Sequence, residues 1–309
     1  MKGFLRFANL FTLAAGAAGM ALMAWLQAVG TDEKGLYPTS HPSWTLLWIL
    51  TILVVVALWL LSRQVGINRS YRLNFPASIT AAIGYAAAAL GLLVSGIGYL
   101  RTEGHLWMIT GILGIFGAVS MIPGVYARLR QTRSRIPAHI LPCFFFAVSL
   151  FVLGQEYGAE PEMPRYLYHF WAIVTMVPAC YHLWAFDVNM GKRPACIFWC
   201  LTAGYCNLVA LAGSANWLLH LCCAVWMLTA LPKLCYLPKT PKNPPTQEAP
   251  AEEVPVAAEA SPALVSPLPM DAPNITESPA PTGTLTVQLP DADAILEELL
   301  RDFRKQEET

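Results

Sequence analysis

Eight stretches almost free of charge, each near the length of a bilayer crossing, constrain this chain more than any other feature. They cover residues 4–29, 44–62, 77–100, 106–126, 138–154, 166–186, 195–213 and 216–237. Crossing about 30 Å of hydrocarbon takes roughly 20 residues of α-helix. In lipid each backbone N–H and C=O must be satisfied within its own segment, so such runs predict helices and not strands. Composition agrees: 13% of the chain is charged, against about a quarter in soluble domains. The expected fold class is an all-α integral membrane protein, eight transmembrane helices set as four hairpins in the lipid bilayer. The first run follows Lys2 and Arg6 as a signal peptide would, but its apolar region is too long and continues past any small-residue cleavage site, so a retained helix is expected.

Orientation follows from the basic residues, which concentrate in cytoplasmic loops. With eight spans and the N-terminus inside, 12 Lys and Arg fall on the inner face, including Arg128, Arg130, Arg133 and Arg135, and 3 on the outer. The expectation is a plasma-membrane protein with both termini in the cytoplasm. Outer loops are too short for a folded domain, so recognition there would use loops or a pocket between helices.

Three of the runs carry a hydroxyl residue three positions before proline: Ser120 and Pro123, Thr175 and Pro178, Thr229 and Pro232. The period of two helices suggests a parallel hairpin repeat over the third to eighth runs, the first hairpin lying outside it. Each proline frees a carbonyl one turn back, which a nearby hydroxyl is placed to help satisfy. The alternative is coincidence, since proline is common in membrane helices.

Ionisable groups deep in a membrane mark transport or proton relay. None is evident. Asp187, Glu103, Glu156 and Arg101 lie at span ends and read as solvated or snorkelling groups, which disfavours a proton-coupled pump. Polar residues concentrate late in the chain. Glu156, His169, Asn207 and His220 share an outer depth, with Tyr168 and Tyr205 nearby, and form a candidate ligand pocket. The plainer reading of the same residues is hydrogen bonding between helices.

The eight cysteines all lie between Cys143 and Cys235, which is not a secreted disulfide framework. Cys180, His182, Cys196, Cys200 and Cys235 share an inner depth and form a weak soft-metal candidate. Cysteine as a small apolar packing residue is the stronger reading, and no cofactor is expected. No HExxH, GxSxG or glycine-rich phosphate loop occurs, so an enzyme is disfavoured.

Composition changes after residue 237. Residues 238–290 hold 13 of the 24 prolines and no periodic apolar face, the signature of a disordered tether. Residues 291–305 differ: Ile295, Leu296, Leu299, Leu300 and Phe303 form one stripe at helical spacing, following Asp291 and Asp293 and ending among Arg301, Arg304 and Lys305. So short an amphipathic helix is marginal alone and is expected to order on a cytoplasmic protein partner, the alternatives being docking on the membrane or on the body itself, or an inert frayed end. The chain thus divides into a membrane body (1–237), a tether (238–290) and a docking helix (291–305).

The zero net charge conceals segregation. The outer face has 3 basic and 6 acidic residues, the inner face 12 basic residues and Asp187, and the tail 5 basic and 13 acidic. No segment looks like a nucleic-acid binder, and the acidic tail is a candidate to fold back on the inner arginines. The function expected from sequence is a non-enzymatic membrane-anchored adaptor or regulatory protein; the alternative is a small-solute transporter or membrane ligand receptor using the outer halves of the last four spans.

Overall fold

A computed structural model describes residues 7–29, 41–65, 71–130, 138–157, 163–188 and 190–231. These residues are helical and contain no strand. Helix α1 is Ala8–Val29, α2 Pro42–Arg63, α3 Tyr71–Asn74, α4 Ile79–Leu100, α5 His105–Arg130, α6 Ile140–Tyr157, α7 Met163–Asp187, α8 Arg193–Ala210 and α9 Trp217–Ala230. Apart from the single turn α3, each helix falls on one of the eight apolar runs. Local signals set their ends. Pro42 opens α2 at a position whose N–H needs no helical partner, and the His41 ring accepts from Ser43 N–H. Ser78 caps α4 by accepting from Ala81 N–H. Between α4 and α5, Gly104 turns the chain at φ +124°, where a side chain would be strained.

Four helices, α1, α2, α4 and α5, are long and apolar enough to cross a membrane. The others fall short in different ways. Helix α9 has 14 residues, roughly 21 Å at 1.5 Å per residue. Helix α7 has 25 residues but carries Arg165, His169, His182 and Asp187.

Helices α4 to α9 touch in sequence order, and α9 returns to α4, which closes a six-helix ring. Helices α1 and α2 pack on each other and both rest on α8, outside the ring. The side-chain distribution is that of a body solvated by apolar surroundings. Ile52 and Leu53 on α2, Ile83 and Leu90 on α4, and Phe116 and Ile122 on α5 are exposed, whereas small residues such as Ala81, Ala88 and Ser95 on α4 are buried. Small residues inside allow backbones to approach closely, as membrane helix pairs require. At Gly96 an added Cβ would lie 2.8 Å from the Gly111 carbonyl oxygen of α5.

The outer hairpin is fastened by polar contacts. The Thr51 hydroxyl donates to Leu47 O (2.8 Å). Its single proton is then committed, so Tyr168 on α7 (2.6 Å) and Tyr205 on α8 (2.9 Å) both donate to Thr51. Asn9 on α1 donates to Leu228 O on α9 (3.2 Å).

Pro123 and Pro178 lie inside α5 and α7; Pro232 is outside the described residues. The hydroxyls of the expected repeat do not serve the carbonyls that proline frees, which are those of Val119 and Val174, four residues back. Ser120 instead reaches Gly117 O (2.7 Å) and Ala138 O (3.2 Å), and Thr175 reaches Trp171 O and Ala172 O (both 2.9 Å). A hydroxyl on a helix bonds back by three or four positions. A residue three before proline therefore serves carbonyls six or seven before it, one turn beyond the freed oxygen.

Candidate functional site

Two polar assemblies occupy the ring, at opposite ends. The first borders a cavity of about 520 Å³, within the range of small-ligand sites. Helices α4, α5, α6 and α7 contribute Tyr99, Trp107, Glu156 and His169 to its wall, and the α8–α9 turn and α9 contribute Ser214 and Trp217. Hydrogen-bond geometry assigns the protons behind His169. Asn207 Nδ2 donates to Ala203 O (2.8 Å), which turns Oδ1 toward His220. His220 Nδ1 therefore donates to Asn207 Oδ1 (2.8 Å) and leaves Nε2 as acceptor. His169 Nδ1, 2.6 Å from that nitrogen, must be the donor. The chain runs His169 to His220 to Asn207 to a backbone carbonyl, and its neutral His169 keeps the Nε2 lone pair. Ser214 Oγ stands 3.1 Å from the same Nδ1 and accepts from Asn216 N–H (3.1 Å). Asn216 Nδ2 in turn donates to the Tyr99 hydroxyl (2.9 Å).

Of the pocket residues expected from sequence, His169, Asn207 and His220 meet in one chain, and Glu156 lines the cavity with His169. Asn207 and His220 stand behind His169 and do not line it. Tyr168 and Tyr205, expected nearby, face Thr51 instead. A smaller cavity of about 410 Å³ shares Trp107 and Glu156 and adds His105 and Gln155.

The other end of the ring buries charged side chains. Asp187 closes α7 at 8% exposure and lies 2.9 Å from His139 Nδ1, which donates to it. His139 Nε2 then accepts from the Tyr85 hydroxyl of α4 (2.5 Å), and the Tyr85 oxygen accepts from the Arg128 guanidinium of α5 (3.3 Å). A directed chain thus joins a guanidinium to a carboxylate through a phenol and an imidazole. Aromatic faces enclose it. The Arg128 guanidinium lies 4.0 Å from the Phe75 ring centre, and Trp226 of α9 stacks on His139 with centroids 6.2 Å apart and planes within 5°.

This end corrects two expectations. Asp187 is not a solvated or snorkelling group but a buried carboxylate that accepts from His139, which the chain just before α6 delivers to the end of α7. Arg128 is not part of an exposed basic loop: α5 continues to Arg130, and Arg128 is 3% exposed on its inward face. Arg130 is exposed over the Tyr126 ring (4.7 Å); Arg133 and Arg135 lie outside the described residues. Tyr85 and His139 were not singled out in the sequence. The available signal was Asp187, a lone acid among the 12 basic residues assigned to its face.

Cys196 and Cys200 sit one turn apart on α8 with sulfurs 3.9 Å apart. Cys180 is buried on α7 and His182 half-buried two residues on; Cys235 is outside the described residues. Among the described residues no group of three or more His, Cys, Asp or Glu side chains is placed to hold a metal ion. The tail and the Ile295 to Phe303 stripe also lie outside them. Comparison of the chain with family models, curated proteins and solved structures gives no match.

Proposed function

We propose that the six-helix ring is the ligand-binding body of a multi-pass membrane protein, a small-solute transporter or receptor whose cavity opens on the outer face. The observation that carries this reading is the opposition of the two ends: a cavity backed by a fixed histidine chain at one, and a buried ionic chain closing the other. In this reading all eight helices other than α3 cross the membrane, the shorter ones where the bilayer thins beside them. The basic inner face and both termini are cytoplasmic, and the membrane is the plasma membrane. The ionic chain is the inner closure, and α1 and α2 brace α8 from outside.

Membrane-impermeant maleimide applied to intact cells tests this. Thr102→Cys at the cavity mouth and Ser95→Cys in its wall are expected to react from outside, above the background of the native cysteines, and Arg130→Cys only after permeabilisation. Reaction of Ser95→Cys only after permeabilisation, or none at all, overturns the reading.

A second role is supported by the tail sequence. The stripe Ile295, Leu296, Leu299, Leu300 and Phe303 suits an apolar groove on a cytoplasmic protein, and the tether gives it reach. Deleting residues 291–309 is expected to remove a partner from native-membrane pull-downs; an unchanged set of co-purifying proteins ends that reading.

A further inference from the structure

We infer that the cavity takes a small aromatic molecule that donates a hydrogen bond, a phenol being its simplest form. The inference rests on the outward cavity proposed above and adds the class of ligand. The His169 ring is the polar ground. Asn207 Nδ2 is committed to the Ala203 carbonyl, which makes Asn207 Oδ1 the acceptor for His220 Nδ1–H, and His220 Nε2 the acceptor for His169 Nδ1–H. A neutral imidazole has one N–H and one lone pair. His169 gives its N–H to His220, so its Nε2 can only accept.

His169 borders the cavity. Among the described residues its ring forms hydrogen bonds through Nδ1 alone, and the Ser214 oxygen, 3.1 Å away, stands at that same nitrogen. The wall thus carries an acceptor whose direction is set by a backbone carbonyl of α8, behind the cavity. A ligand without a donor would strip this nitrogen of water and return nothing, which costs affinity; an O–H or ring N–H replaces the water.

The rest of the wall is the apolar ground. Tyr99, Trp107, Tyr166 and Trp217 border the same space. The Tyr99 and Trp107 ring centres lie 4.9 Å apart with planes at 32°. A flat ring meets such a wall in offset-stacked or edge-to-face contact, which adds to the burial that an aliphatic body of equal size would also gain. A volume of about 520 Å³ accommodates one ring with its substituents.

The test uses the full-length chain in phosphatidylcholine nanodiscs, with equilibrium dialysis of radiolabelled 4-ethylphenol, 4-ethylanisole and 4-ethylcyclohexanol, and empty nanodiscs as the lipid blank. The phenol is expected to bind saturably and more tightly than the anisole, and about threefold more tightly than the cyclohexanol. It should also slow maleimide labelling of Ser95→Cys, which places it in the cavity. His169→Phe keeps a ring and removes the acceptor, so the preference for phenol over anisole should shrink about fivefold, the margin of one hydrogen bond. That change also leaves His220 Nε2 without its donor, so the unaltered protein with isotope-labelled histidine supplies a second reading by nuclear magnetic resonance. The signal of the bare His169 nitrogen should move upfield with the phenol and stay in place with the anisole. Equal or tighter binding of the anisole, an unmoved nitrogen signal, or a preference unchanged in a folded His169→Phe overturns the donor. Equal binding of the cyclohexanol overturns the aromatic requirement. No saturable binding of the phenol, or no protection of Ser95→Cys, overturns the ligand class and leaves the cavity standing. The cavity itself falls only if Ser95→Cys also fails to react from outside.

Discussion

The two ends of the ring use the same device, a directed hydrogen-bond chain through histidine, in opposite electrostatic settings. At the cavity end every member is neutral and the chain finishes on the Ala203 carbonyl. At the ionic end the chain starts on a guanidinium and finishes on a carboxylate. The neutral chain costs little to bury and leaves an acceptor at a cavity. The ionic one is tolerated only while each buried charge keeps its own polar partner, Tyr85 for the guanidinium and His139 for the carboxylate. Asp187→Ala should therefore be the most damaging single change, removing about 3–5 kcal/mol and depressing the unfolding midpoint in nanodiscs more than any change at the cavity end. Asp187→Asn, which keeps an oxygen to accept from His139 Nδ1–H, should lose less. If Asp187→Ala is no worse than loss of His220, the contrast between the ends is wrong.

Between the ends, α4 and α5 are held by backbone contact, which polar chemistry at neither end can replace. Gly96→Val places a branched side chain where even a Cβ would lie 2.8 Å from the Gly111 oxygen. Overpacking of this kind costs about 1–3 kcal/mol. A lower unfolding midpoint in nanodiscs is the expected result. An unchanged midpoint would mean that the two helices can part without cost.

A smaller effect is expected at the neutral chain. Asn207→Ala deprives the His220 Nδ1–H of its acceptor. Hydrogen bonds between membrane helices average about 0.6 kcal/mol with a ceiling near 1.7, so the loss should be about 1 kcal/mol in thermal unfolding. The consequence reaches the cavity wall, because with His220 free to change tautomer the proton of His169 is no longer fixed to Nδ1. A stability loss matching that of Asp187→Ala would make the neutral chain a structural keystone instead.

How far these ends could be read in advance follows from where their residues lie. His169, Asn207 and His220 were legible because each is a polar residue within an apolar run, and runs of known direction assign depth. Depth does not assign facing, so the same reasoning placed Tyr168 and Tyr205 beside them although both turn to Thr51 on the neighbouring hairpin. The ring closure of α9 onto α4 was not legible, since its basis is complementary surface: Gly84 and Gly91 on one helix against Trp226 and Cys222 on the other. Tyr85 and His139 escaped for a related reason. His139 sits at the start of a run, where a polar group has an easy interfacial explanation, and Tyr85 reads as an ordinary aromatic within one; only the packing of four helices shows that they meet.

Arg128 and Arg130 give the finest version of the comparison, because sequence alone treats them alike. Two residues of α-helix turn through roughly 200°, so with α5 continuing past Tyr126 the pair must face opposite ways. Arg128 points to Tyr85 and Phe75, while Arg130 lies outside on Tyr126. Arg130→Ala removes one exposed stacking contact, and a surface change of this sort stays within about 0.5 kcal/mol. Its unfolding midpoint should be almost that of the unaltered protein, in the assay where Asp187→Ala fails badly. Charge remains the one property through which Arg130 should register: binding to vesicles or peptides of acidic composition should weaken on its removal and at high salt. A stability loss at Arg130 comparable to that of an ionic-chain residue would mean that α5 ends before Arg128, and the directed chain from guanidinium to carboxylate would lose its first member.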